Sequence, residues 1–217
     1  NKLSLPRAIA ASKLSQPELK TFLRGACFML SRVADSIYWM SRSVERAENL
    51  ARFIDVTFNL MLDLPSGSTE QWQPLISATG DHELFAEKYG VATQENVIRF
   101  LAFDEKYPNS IRSCLQSARE NARSIREVIA SEMWEHLNHF YYLVKDAAST
   151  ATSIESAPDF CQEVKQASHL FKGITDATMT HSEGWHFAQM GRLLERADKT
   201  SRILDVKYFI LLPAVHD

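Results

Sequence analysis

The sequence predicts an all-α fold, a bundle of about six or seven helices with two long helices of one design near its start and end. Three observations predict it. Only 7 Gly and 7 Pro among 217 residues leave long stretches of Ala, Leu, Glu, Arg and Ser unbroken. Apolar residues recur at steps of three and four, and no stretch alternates as a strand would. Third, Arg42-Ser43-Val44-Glu45-Arg46-Ala47-Glu48 returns 150 residues later as Arg192-Leu193-Leu194-Glu195-Arg196-Ala197-Asp198. The same offset carries Met40 onto Met190, Arg52 onto Arg202, Ile54 onto Leu204 and Asp55-Val56 onto Asp205-Val206 without a gap, so the repeat is a duplication.

Residues 1–28 fall outside that register and read as an N-terminal extension, in which Gln16-Pro17-Glu18-Leu19 suits the start of a short helix. From Met29 to about Leu62, Val33, Ile37, Met40, Val44, Ala47, Ala51, Ile54, Phe58 and Met61 form a heptad-like seam. The helix is roughly 50 Å long at 1.5 Å per residue, and Leu64-Pro65-Ser66-Gly67-Ser68 stops it. Short helices follow around Glu70–Ile76 and His82–Tyr89, with breaks at Gly80 and Gly90. Thr93-x-x-Asn96 opens a helix to about Phe103, which Pro108-Asn109 interrupts. Asn109 or Ser110 caps the next, running to Ile129 with Ile111, Leu115, Ala118, Ala122, Ile125 and Ile129 on one face. Two more helices span about Ser131–Ile154 and 158–180, the second with Pro158 in its first turn. Thr180-x-x-Glu183 offers a capping box for the last long helix. Its seam, by the repeat, is Phe187, Met190, Leu194, Ala197, Ser201, Leu204, Tyr208 and Leu211, ending at Pro213.

The hydrophobic content of 45% suffices for a packed core. A net charge of −3 gives no basic surplus for gripping nucleic acid. Cys27, Cys114 and Cys161 are odd in number and unpaired in spacing, which points to a reducing compartment rather than to disulfides or a thiolate metal site. No apolar run approaches the roughly 20 residues of a membrane span, and no basic-then-apolar leader is seen. The expectation is a cytoplasmic protein with no membrane or nucleic-acid partner.

Opposite the first seam lie Arg42, Glu45, Arg46, Asn49 and Arg52, with Tyr38, Trp39 and Phe53 in or beside the stripe. Aromatics of that size do not suit a solvated face, so a second contact face is expected. Three readings of the face stand. The Glu and Arg of one copy pair with the Arg and Glu of the other and set the register of two helices; or the face binds a partner; or Glu45 or Glu195 is a general base beside an anion-anchoring Arg. No nucleophile with an adjacent base and no phosphate-cradling Gly loop supports the third, so no catalytic residue is assigned. Glu132, Glu135, His136 and His139 are only fragments of a carboxylate-bridged dimetal pattern, and neither a metal nor a cofactor is expected. Arg119, Arg123 and Arg126, beside Glu120 and Glu127, read as an ion-pair lattice or as an anion or partner site. Trp134 with Tyr141 and Tyr142 reads as aromatic packing.

Three ordered motifs resemble the alpha-E family, named for an all-helical domain with a repeated Glu-Arg motif. The first runs from Met29-Leu30-Ser31-Arg32 through Tyr38-Trp39-x-x-Arg42-x-x-Glu45-Arg46-Ala47-Glu48-Asn49. The second is Ala118-Arg119-Glu120-Asn121-Ala122-Arg123-x-x-Arg126-Glu127 with Glu132-x-Trp134-Glu135-x-Leu137-Asn138. Trp185-x-Phe187 before Gly191–Asp198 is the third, and the likeness covers roughly residues 29–213. Ser41 departs from it, standing where the second copy and usually the family have Gly, which implies a relaxed helix approach in the first half. The resemblance implies an alpha-E domain over 29–217, with Arg42, Glu45, Arg46, Arg192, Glu195 and Arg196 as its motif and Arg119, Asn121, Arg123, Arg126, Trp134 and Asn138 as binding candidates. Family members are typically encoded with, or fused to, ATP-grasp-type ligases and transglutaminase-like proteins. The function expected on that ground is a non-catalytic accessory of a peptide synthesis or modification system. It would hold a ligase, a transglutaminase-like protein or a peptide through the Glu-Arg faces. The alternative is a ligase or transferase component using those pairs as acid/base and anion clamp.

Overall fold

The first long helix, α1 (Ser31–Leu62), is buried on nearly every side over its middle turns. Ile37, Met40, Ala47, Ala51 and Ile54 of the seam have no exposed surface, while Glu45 and Phe53 across the helix are equally enclosed. A helix covered all round is the centre of a bundle, and the expected second contact face is present. The computed structural model of the chain describes residues 29–62, 72–150 and 157–211. Expectations for residues 1–28, the stop at Leu64–Ser68, the side chains of Tyr208 and Leu211, and Pro213 lie outside the described residues. Residues from Arg32 onward form one compact unit.

α2 (Gln73–Thr79) and α3 (His82–Tyr89) end at Gly80 and Gly90 with φ of 81° and 71°, a backbone that glycine adopts without a Cβ clash. α4 (Gln94–Ile98) is capped by the Thr93 side chain, which accepts from Asn96 N, and runs into a π-helical turn over Arg99–Phe103. That turn buries Phe100, which stacks on Tyr107 at 4.0 Å between ring centroids and meets Phe85 edge-on. α5 (Ile111–Ser124) is capped by Ser110, whose Oγ accepts from Ser113 N. Its apolar face is buried as expected, but the helix ends at Ser124 and the chain turns through Ile125–Ile129.

α6 (Ser131–Thr150) buries Met133, Leu137, Phe140 and Val144, and α7 (Ala157–Thr178) buries Phe160, Cys161, Val164 and Phe171. α8 (Glu183–Leu211) opens two residues beyond where a Thr180 cap would start it, because Ser182 N first turns back onto the Thr180 carbonyl at 2.6 Å. Eight α-helices and no strand are found among the described residues, which makes the fold all-α. None of these helices is long and apolar enough to cross a membrane.

The two seams have opposite fates. Met40, Val44 and Ile54 are 0–1% exposed, whereas their repeats Met190, Leu194 and Leu204 are 44–62% exposed. The expected seam of α8 therefore faces outward, and Leu193 at 52% joins it. The cause is that α8 turns the stripe Gly184, Ala188, Gly191 and Glu195 inward, all of it small or paired. A Cβ on Gly191 would lie 2.4 Å from the Tyr38 carbonyl oxygen, so glycine there permits direct contact with the α1 backbone.

Candidate functional site

Tyr38 lies against Gly191, and Arg42, one turn on, lies against Glu195, so α1 and α8 run in the same direction where they touch. This brings both Glu-Arg motifs into one layer. Arg42 Nε and Arg46 Nε donate to the two oxygens of Glu195 at 2.7 Å each, and Arg46 Nη2 adds a bond at 3.0 Å. In the other direction, Arg196 Nε and Nη2 donate to Glu45 at 2.8 and 3.2 Å. Both carboxylates are fully buried. The reciprocal pairing expected between the copies is thus the arrangement found.

The motif draws in residues that spacing did not single out. From α7, Lys172 Nζ reaches Glu45 at 3.0 Å and also bonds Glu48. Glu48 accepts from Ser168 Oγ and from Arg52 Nη2, each at 2.7 Å, and lies 3.3 Å from His169 Nε2. Asn109, before α5, accepts from Arg46 Nη1 at 2.8 Å, and Lys199 lies 3.7 Å from Glu195. One signal for Glu48 was present, its place one turn from Glu45 inside the repeat. Lys172 and Asn109 had none, since both come from elements unrelated to it.

Burial alone would raise the pKa of Glu48, but Lys172, Ser168 and Arg52 outweigh it and pull it down to about 2. Glu195 shows the same contest, burial pushing up and the bonds from Arg46 and Arg42 holding it below the usual carboxylate range. Neither group is poised to take a proton near neutrality. Burial pushes the Cys114 and Cys161 thiols up to about 12, which makes both poor nucleophiles.

The central motif gathers at a separate place. Arg119 Nε donates to Asn138 Oδ1 at 2.6 Å, and its guanidinium lies 5.1–5.9 Å from the ring centres of Trp134, Tyr141 and Tyr142. Arg126 lies over Trp134 at 5.4 Å. The aromatic group therefore holds the chain's own arginine. Arg123 and Asn121 stand aside: Arg123 is mostly exposed and 3.6 Å from Glu120, and Asn121 bonds the Ser117 carbonyl. His136 Nε2 sits 2.7 Å from the Ala167 carbonyl, and burial lowers its pKa.

Arg192 departs from the scheme. It has no ion-pair partner among the described residues, and its Nη2 bonds the Gln189 side chain instead. It lines a narrow crevice, open to solvent, where α1, α7 and α8 meet; neither Glu45 nor Glu195 is among the lining residues.

Residues 29–217 match the family described as a predicted alpha-helical domain with a conserved ER motif. Two uncharacterised mycobacterial proteins, one from Mycobacterium bovis and one from Mycobacterium tuberculosis, are 23% identical to the chain over 184 residues, covering 76% of it. The chain spans about a fifth of the length of these relatives, 21%. No solved structure gives a significant match. Glu-Arg pairs lock α1 to α8 in this chain, and the chain belongs to the Alpha-E family.

Proposed function

We propose that this domain is a non-catalytic helical accessory of a peptide synthesis or modification system, acting in the cytoplasm with an ATP-grasp-type amide ligase and a transglutaminase-like protein. The observation that carries this reading is the ridge of Met190, Leu193, Leu194 and Leu204 along the outside of α8. These positions share one helix face, and an apolar stripe of that kind suits a partner that covers it. Glu45 and Glu195 support holding rather than reacting, because each is already bound by cations of the chain. Their burial moves the partner contact from the Glu-Arg faces to the ridge. The partner class rests on the family resemblance, and the much greater length of the relatives supports a domain that works beside others.

The test is co-purification with the ATP-grasp-type ligase and transglutaminase-like protein encoded in the same genome. The tagged chain is expected to retain the ligase, and the double substitution Leu193→Lys with Leu194→Lys to release it without shifting the thermal midpoint by more than a few degrees. A wild-type chain that retains neither protein sinks the reading.

A further inference from the structure

The two copies of the motif differ at one place in a way that leaves a site behind. In the first copy, Arg42 has a carboxylate, Glu195, on its Nε and the Tyr38 hydroxyl on its Nη1, both at 2.7 Å. The repeat equivalent of Arg42 is Arg192, and that of Tyr38 is Ala188. The carboxylate that Arg192 would take by symmetry is Glu45, but Lys172 and Arg196 already hold it. Where the Tyr38 ring fills space in the first copy, Ala188 leaves the cavity. Where Gly191 sits against the α1 backbone, its equivalent Ser41 lines that cavity with a side chain.

Two buried side-chain nitrogen or oxygen atoms among the described residues have no hydrogen-bond partner, Ser41 Oγ and Arg192 Nε. Both belong to residues lining this one cavity. Ser41 is 6% exposed, so its hydroxyl is not satisfied by bulk water, and leaving such a donor unpaired is costly. Lys172 stands beside them; its ammonium has three protons and two carboxylate partners, which leaves one to donate.

From this geometry we infer that the cavity between α1, α7 and α8 binds a small carboxylate, the α-carboxylate of a free amino acid or of a peptide C terminus, on Arg192 Nε and Ser41 Oγ. The ligand replaces, from outside, the carboxylate that Glu195 supplies to Arg42 from within. Val44 and Phe171 give the cavity an apolar wall suited to a small side chain. Asp176, also at the cavity, accepts from Trp185 Nε1 and Gln189 Nε2 and adds a negative charge that disfavours a phosphate dianion. The same charge separates the two sources, since a free amino acid brings an ammonium to Asp176 and a peptide terminus brings a neutral amide. This site does not depend on the α8 ridge or on the partner proposed for it.

The test is a titration of the ¹⁵N-labelled domain with N-acetyl-L-alanine, L-alanine, N-acetyl-L-alanine amide and inorganic phosphate, read at the Arg192 Nε–H and Trp185 indole signals. The carboxylates are expected to shift both signals, and the amide neither. Arg192→Gln is expected to weaken binding about tenfold or more, as loss of a charge-assisted bond does, with a thermal midpoint close to wild type because no internal carboxylate loses its partner. Ser41→Ala, which keeps the charge, is expected to weaken binding less. L-alanine binding more tightly than the acetylated form, with the difference removed by Asp176→Asn, identifies a free amino acid; the reverse order identifies a peptide terminus. Absence of shifts at about 10 mM carboxylate, equal binding of the amide, binding of phosphate in place of carboxylate, or unaltered binding by Arg192→Gln overturns the inference.

Discussion

Glu195 has no exposed surface, yet its pKa is held low rather than raised, because Arg42 and Arg46 both donate to it. Such a group makes little net contribution against an apolar replacement but is costly to break from one side. Glu195→Gln leaves two half-buried guanidiniums facing a neutral amide, and the expected loss is about 3–5 kcal/mol, measured as a shift in urea midpoint with an unchanged slope. The reciprocal logic of this centre was legible in the sequence, since each copy of the motif carries both signs. Lys172 was not, because nothing in a lysine of α7 announces which carboxylates of α1 it will meet.

At the scale of the helix, α1 and α8 show that a periodic seam identifies a face without identifying what covers it. Met40 and Met190 are the same residue at the same place in the repeat, yet one is fully buried and the other 44% exposed. Met40→Ala is expected to cost about 2–5 kcal/mol, and Met190→Ala to stay within about 0.5 kcal/mol, in matched thermal or denaturant unfolding. Equal effects from the two would contradict the outward orientation of α8. Gly191 explains the divergence: it admits the α1 backbone on the side of α8 that carries Glu195, so contact there leaves the Leu193-Leu194 side free.

Across the whole molecule, the central layer makes stability depend on acid. Glu48 falls from an ordinary 4.5 to about 2 in the fold, and Glu195 is lowered as well. The unfolded chain therefore binds these protons more readily than the folded one, and stability must fall as pH falls. The contribution of Glu48, roughly 3 kcal/mol, is present in full above about 4.5 and lost between there and about 2. Urea midpoints are expected to hold from neutrality to about pH 5 and then drop, and Glu48→Gln to be less stable at neutrality with a flatter acid limb. An unchanged acid limb in that variant would remove Glu48 from the account.

The sequence by itself determined the presence and order of the helices, the cap at Thr93, a cap at Asn109 or Ser110, the glycine stops and the duplication, because these depend on neighbours a few residues apart or on a repeat readable along the chain. Only the tertiary structure decided which seam became core, which of the four motif arginines has no carboxylate partner among the described residues, and that a crevice opened where Ala188 and Ser41 replace the Tyr38 and Gly191 of the other copy. Burial and charge pairing are set by whatever packs across from a residue, and a duplicated sequence folded into one asymmetric bundle meets different neighbours at each of its two copies.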